Sequence, residues 1–232
     1  MFIGQSIAKR ALSYGVIGAL LITASLTTSA NAADKGSSTT RNAYGCVKTN
    51  AVAHNPINVG TPDIKSPQVD RTFTLNTNCG QIVFKAFGTK APMTVIAMTY
   101  LAKAGFFDHS LCHRVTTAQF YVLQCGDPTA SGAGGPPFSY NDENLPTGAA
   151  VTYPAGTIAM ANSGVNQGRG TNGSQFFIGY QDSGVLPPNY TVWGQVTKGL
   201  DIVKKVASAG VVGGSTDGKP KQPIAIESVV VK

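Results

Sequence analysis

Histidine is scarce in this 232-residue chain, and the cysteines fall into no paired motif, which narrows the chemistry open to it. Only His54, His109 and His113 are present, so an imidazole-based metal site or catalytic triad has few members to draw on. Cys46, Cys79, Cys112 and Cys125 lie too far apart for a CxxC or zinc-ribbon pattern, so a metal site is not expected. Charged residues are also sparse, 12% against 42% hydrophobic, which excludes a globally disordered chain and supports a sizeable core. The lysines and arginines form no run interleaved with aromatics, so the net charge of +7 reads as a solvated basic surface rather than a nucleic-acid interface. There are no internal repeats.

A membrane-spanning apolar run is missing as well. The stretch from Ala11 to Ala24, interrupted by Ser13, Tyr14 and Thr23, falls short of the roughly 20 residues a spanning helix prefers. Lys9 and Arg10 precede it and Ala30-Asn31-Ala32 ends it, so residues 1–32 read as a signal peptide cleaved after Ala32. The alternative is an uncleaved anchor through residues 11–28. Either way the expected location is extracytoplasmic. Cleavage removes Lys9 and Arg10 and lowers the net charge from +7 to +5. An even cysteine count in an exported chain permits two disulfides in three connectivities. A hairpin joining Cys112 to Cys125 would leave Cys46 for Cys79; equally, all four can be buried free thiols.

Turn formers, by contrast, are plentiful: 27 Gly and 13 Pro, more than a helical bundle tolerates. Residues 33–70, with Pro56, Pro62 and Pro67, read as a flexible tether, and the folded domain as 71–232. Phe73, Leu75 and Thr77 alternate with polar neighbours as in a half-buried strand, and residues 81–87 form its return partner after the Asn78-Cys79-Gly80 turn. Pro92 opens a helix whose apolar face carries Met93, Ile96, Ala97, Tyr100, Leu101 and Ala104, with Gly105 as the stop. Strands follow over 111–116, 121–125, 157–162, 175–179 and 191–196. A second helix over about 198–208 and a last strand over 224–231 complete the order. Strands at this density with one early and one late helix predict a mainly β fold, a closed antiparallel barrel with the helices over its ends.

Two motifs mislead. Residues 168–173 match GxGxxG, but a strand-like Gln175-Phe176-Phe177-Ile178 follows where a phosphate-binding helix is required. Ser174, His113 and Asp127 are a formal triad set, yet no serine sits in a GxSxG elbow.

The segments Cys112-His113-Arg114-Val115, Val122-Leu123-Gln124-Cys125-Gly126-Asp127, Met160-Ala161-Asn162-Ser163-Gly164 and Thr171-Asn172-Gly173-Ser174-Gln175-Phe176-Phe177-Ile178 carry more weight. Together, and in this order, they resemble the cyclophilin family of peptidyl-prolyl cis-trans isomerases over about 160 residues from Arg71 onward. The resemblance implies an eight-stranded closed barrel with two helices, no cofactor and proline-containing polypeptides as partners. It also implies a monomeric protein that assists folding of exported chains. By the same resemblance Arg114 is the catalytic arginine. Substrate contacts fall on Tyr121, Val122, Gln124, Ala161, Asn162, Ser163, Gln175, Phe177, Leu186 and Tyr190. Two residues more than usual separate Arg114 from Gln124, so Phe120 competes with Tyr121 for the pocket's aromatic position. An insertion at 165–169 lengthens a loop beside the groove. Val185 stands where cyclosporin-sensitive members have Trp, so weak cyclosporin binding is expected. His113 is read as structural, on the strand face opposite Arg114. The rival functions are a non-catalytic module that holds proline segments and an adhesive or chaperone-like surface indifferent to proline.

Overall fold

In the computed structural model, residues 40–148, 150–166 and 169–232 are described. The expected leader, residues 1–32, and the start of the expected tether lie outside them. The strands are β1 (Arg71–Thr77), β2 (Gly80–Ala86), β3 (Ser110–Leu111), β4 (Arg114–Thr116), β5 (Val122–Cys125), β6 (Thr157–Met160), β7 (Val165–Asn166), β8 (Arg169–Gly170), β9 (Phe176–Gly179), β10 (Val192–Lys198), β11 (Asp217–Gly218) and β12 (Ala225–Val231). The helices are α1 (Pro92–Lys103) and α2 (Leu200–Ser208). Ten strands make one antiparallel sheet in the order β11-β4-β5-β9-β6-β10-β2-β1-β12-β3, and β7 pairs with β8 apart from it.

The ten strands differ from the expected eight for a local reason. The chain from Ser110 to Thr116 is interrupted at Cys112-His113, so β3 pairs with β12 while β4, a few residues on, pairs with β5. Covalent continuity between β3 and β4 therefore closes the circuit. Counting them as one strand and setting aside β11, which borders β4 on its other side, leaves a closed barrel of eight.

Alternation explains what fills it. Phe73 and Leu75 of β1, Ile82 and Phe84 of β2, Leu123 of β5, Ile158 and Met160 of β6, and Phe176 and Ile178 of β9 point into one buried cluster. Trp193 lies at its centre, edge-on to Phe73, Phe84 and Phe176 at ring separations of 5.4, 5.1 and 6.0 Å. The intervening residues Val122, Ala159 and Phe177 face the other way and form a second, smaller cluster with Tyr153. This second cluster is the floor of the candidate site.

Helix α1 is buried more widely than a single apolar face implies: Thr94, Val95, Met98, Thr99 and Ala102 are covered in addition to Ile96, Ala97 and Leu101, while Ala104 is exposed. Val59, ahead of the barrel, is buried in the same core cluster as Val95, Met98 and Leu101. Pro92 occupies its first turn, and the backbone N–H groups of Met93 and Thr94 donate to the Glu143 carboxylate at 3.0 and 2.8 Å, a negative charge on the positive helix end. Gly105, at φ +74°, ends it: Gly105 N–H reaches Ala102 O and Phe106 N–H reaches Leu101 O, the paired bonds of a Schellman stop.

Residues 40–70, expected as part of a flexible tether, contain no helix or strand but run along the barrel as a fastened strap. Cys46 is buried and joined to Cys79; Val47 and Asn78 exchange two hydrogen bonds of 2.9 Å; His54 N–H donates to Pro128 O. Cys112 and Cys125 form the second disulfide, across β5 and the segment that leads into β4.

Candidate active site

On the outer barrel face, a cavity of about 170 Å³ is lined by Arg114, Phe120, Val122, Gln124, Ala161, Asn162, Phe177, Leu186 and Tyr190. Sheet register puts these side chains together. Arg114 lies opposite Gln124 in β4–β5, Gln124 opposite Phe177 in β5–β9, and Phe177 opposite Ala159 in β9–β6. Phe177 is the buried floor, edge-on to Tyr153 and Tyr190 at 5.7 and 5.6 Å. Tyr190 is held by its N–H donating to Tyr153 Oη, which donates in turn to Pro187 O. Burial pushes the Tyr153 hydroxyl up to about 12, so it is a neutral donor at ordinary pH.

Arg114 stands at the mouth. Its Nε and Nη2 donate to the two carboxylate oxygens of Asp217, both at 2.7 Å, and Nη1 donates to Gln124 Oε1 at 3.1 Å. Its guanidinium carbon is 5.7 Å from the Phe120 ring centre, a cation–π distance. The hydrogen bond to Asp217 raises the guanidinium pKa above its already high value, and the Arg114 guanidinium holds Asp217 below the usual carboxylate range. Gln124 Nε2 then donates to Gln175 Oε1 at 2.9 Å, and Gln175 Nε2 donates to the carbonyls of Gly132 and Gly134, each at 2.9 Å. Each amide is thereby locked in one orientation.

A polar groove of about 300 Å³ continues from the cavity and shares Gln124, Ala161 and Asn162 with it. Ser163 and Gln175 line this groove rather than the apolar cavity. The Asn162 amide is spent on structure, donating to Asp142 Oδ1, Asn189 O and Asn172 Oδ1 at 3.0, 3.1 and 3.3 Å. The wall opposite is the loop after Gly126, organised by Asp127. Burial raises the Asp127 carboxyl, but Thr129 Oγ1 and the N–H groups of Gly134, Thr129 and Gly132 outweigh it and hold the carboxyl below its ordinary value. Gly126, at φ +92°, admits no Cβ, which would fall 2.2 Å from Ser174 O.

The placement of Tyr121 corrects an expectation. Its ring packs with Tyr180 at 5.9 Å beside the barrel core, and Phe120 takes the cavity position. Gln119 adopts a left-handed φ of +66° and Phe120 N–H turns back to Ala118 O, so the two extra residues are absorbed in a tight turn before β5. Strand parity carried the signal: Val122 and Gln124 face the site, so the aromatic two positions before Val122 belongs with them. Asp217 was missed altogether. It is 103 residues from Arg114 and sits in a Gly-rich turn with no motif of its own.

The misleading motifs resolve as structure. Ser174 Oγ donates to Gly126 O at 2.6 Å, and Asp127 accepts from its own loop. Both ring nitrogens of His113 are buried without a partner, so no Ser–His–Asp relay exists. A strand, β9, follows Gly173 and Ser174, as the nucleotide reading forbids.

The site is thus an apolar notch on the outer face of a closed β-barrel, with one fixed guanidinium in its lining. Residues 72–231 match the family model described as cyclophilin type peptidyl-prolyl cis-trans isomerase/CLD, and the chain belongs to that family. It is 44% identical over 167 residues to the probable peptidyl-prolyl cis-trans isomerase B of Mycobacterium tuberculosis, an alignment covering 67% of this chain and 52% of that protein. It is 34% identical over 183 residues to the peptidyl-prolyl cis-trans isomerase A of the same organism, covering 72% and 94%. The chain thus spans about half the length of the first of these relatives. A crystal structure of a Cryptosporidium parvum cyclophilin type isomerase superposes with a TM-score of 0.59 at 24% identity, over 70% of this chain and 98% of that one, a likeness of fold.

Proposed function

We propose that this protein accelerates cis-trans isomerisation of X-Pro peptide bonds in flexible polypeptides, without a cofactor. The observation that carries the reading is the Arg114 guanidinium, fixed by Asp217 and Gln124, at the mouth of the Phe177 cavity.

A prolyl amide is held planar by resonance behind a barrier of about 18–20 kcal/mol, and unaided rotation takes tens to hundreds of seconds. Four decades of acceleration require about 5.5 kcal/mol. In the twisted transition state the proline nitrogen regains its lone pair. A donor aimed at that nitrogen is engaged only there, so it stabilises the transition state over either planar form. Arg114 is always charged and keeps two N–H groups free after its bonds to Asp217 and Gln124. Phe120, Val122, Phe177, Leu186 and Tyr190 supply the apolar walls for the ring, from which the dipolar planar amide gains little solvation. With the Asn162 side-chain amide and the Ala161 N–H already committed, it is the Asn162 backbone that is offered to the residues ahead of the proline, which stay still while the far side turns.

The clients in this reading are unfolded or flexible exported proteins, and the protein acts as an extracytoplasmic monomer. Two disulfides suit an oxidising compartment, and residues 1–32 have the composition of an export signal. Cyclosporin binds weakly, because Val185 beside Leu186 is 67% exposed and offers no indole to cover it.

Exchange NMR on an Ala-Pro peptide tests the reading. Wild-type protein is expected to accelerate exchange, and Arg114→Ala to lose on the order of a hundredfold, as for removal of one preorganised donor. Binding of the peptide with no acceleration by the wild type would instead establish the holding-module reading. Equal binding of a Pro→Ala peptide would establish a proline-indifferent surface.

A further inference from the structure

We propose that Asp217 is a positioning residue for Arg114, acting through the guanidinium and not on the peptide; this rests on the isomerase reading above. A free arginine side chain samples many rotamers, and a catalytic donor must be held in one near-productive geometry. Gln124 alone supplies a single bond of 3.1 Å to one terminal nitrogen, which leaves the plane of the guanidinium free to turn. Asp217 removes that freedom. Its two oxygens take Nε and Nη2 at 2.7 Å each, the parallel fork that fixes both position and plane. The remaining N–H groups, one on each terminal nitrogen, are left for substrate.

The backbone around Asp217 is built to hold that fork in place. Asp217 and Gly218 pair with Thr116 and Val115 of the strand that carries Arg114, and Thr117 N–H donates to Thr216 O at 2.8 Å. Ser215 Oγ donates to Asp217 O at 3.1 Å and accepts from Asp217 N–H at 3.3 Å. This explains why a two-residue strand is appended to an otherwise closed barrel: it brings a carboxylate to the outer side of Arg114, opposite Gln124. The chain of bonds then runs from Asp217 through Arg114, Gln124 and Gln175 to the carbonyls of Gly132 and Gly134, whose own loop is drawn together by Asp127. One end of the chain is a buried carboxylate and the other is the half-exposed Asp217, which can be altered without opening the core.

The experiment uses the full chain with the Ala-Pro peptide. Asp217→Ala is expected to lower the exchange rate at saturating peptide on the order of tenfold, a loss of orientation rather than of the group itself. The peptide Kd is expected to change less than about twofold. Asp217→Asn, which keeps one acceptor oxygen but sets an NH2 against the second N–H, is expected to recover only part of the rate. In an Arg114→Ala background, Asp217→Ala costs nothing further, the non-additivity that marks one residue acting through the other. The Arg114 Nε–Hε NMR signal, protected in the wild type, exchanges rapidly with water in Asp217→Ala and reports the fork directly. An active wild type with Asp217→Ala undiminished, or an equal loss with and without Arg114, overturns the positioning role alone. A wild type that binds peptide without accelerating exchange overturns the isomerase reading and this role with it.

Discussion

Removing the Cys112–Cys125 disulfide separates what holds the fold from what holds the site. The bond closes a loop of 13 residues, and its Cys125 neighbours Gln124 while Cys112 lies two residues from Arg114. Chain-entropy reasoning gives a loop of that length about 3 kcal/mol. At about 2–4 °C per kcal/mol for a domain of this size, the Cys112→Ala/Cys125→Ala double variant is expected to melt about 6–12 °C below the wild type. Both cysteines are buried, so the void left by two sulfurs pushes the loss toward the upper end. The site is expected to survive. Arg114 and Gln124 remain opposite each other through the β4–β5 ladder and the Nη1–Oε1 bond, neither of which involves sulfur. Melting followed by circular dichroism, paired with Ala-Pro exchange well below the melting range, reads both quantities. A melting point within about 2 °C of the wild type refutes the loop-closure argument. An unchanged melting point with lost exchange shows that the disulfide acts on the site rather than on the fold.

Two other perturbations have equally definite outcomes. Burial is the main cause that lowers the His113 pKa, with a smaller push from Arg114 and an opposing pull from Asp127. The unfolded chain takes up a proton at this residue near pH 6.5 that the folded chain resists. The stability present above that value is therefore lost as pH falls through 6.5 toward the lower folded pKa. The wild-type melting point is expected to drop more between pH 7.5 and pH 5 than that of His113→Gln, and parallel curves for the two would remove His113 from the account. Val185→Trp is expected to tighten cyclosporin binding at least on the order of tenfold in a calorimetric titration, since a large apolar surface is added at an exposed position beside Leu186. No gain would show that Val185 does not border the inhibitor.

Much of the barrel was legible because alternation and turn residues are local signals. Phe73 and Leu75 announce an inward face without reference to anything else in the chain, and Gly105 stops its helix by its own φ. What was illegible depends on long-range closure. The break at Cys112-His113 gives one stretch of chain two pairing partners, β12 and β5, and no pattern within seven residues encodes which partner each half takes. The strap is similar: its prolines read as loose chain, while the covalent bond to Cys79 and the burial of Val59 exist only once the barrel is formed. Asp217 is the extreme case, an acid whose role is decided by the arginine it meets across the sheet.

The site and the core are two readings of the same strands, and this constrains how the site can vary. In β5, Leu123 and Cys125 fill the barrel while Val122 and Gln124 face the cavity; in β9, Phe176 and Ile178 fill it while Phe177 is the cavity floor. A slip of one residue in either strand would exchange the two sets, putting Gln124 into the core and Phe176 at the surface. The register that packs Trp193 against Phe176 is thus the register that sets Phe177 beside Gln124 and Gln124 beside Arg114. Burial of the inner set disfavours any slip by several kcal/mol, since a single large apolar side chain accounts for about 1.5–3 kcal/mol. The two extra residues before β5 are tolerated because they are taken up by the turn at Gln119, ahead of the strand. An insertion of one residue between Val122 and Gln124 would have no such outlet. It would have to displace Leu123 from the core or Gln124 from Arg114.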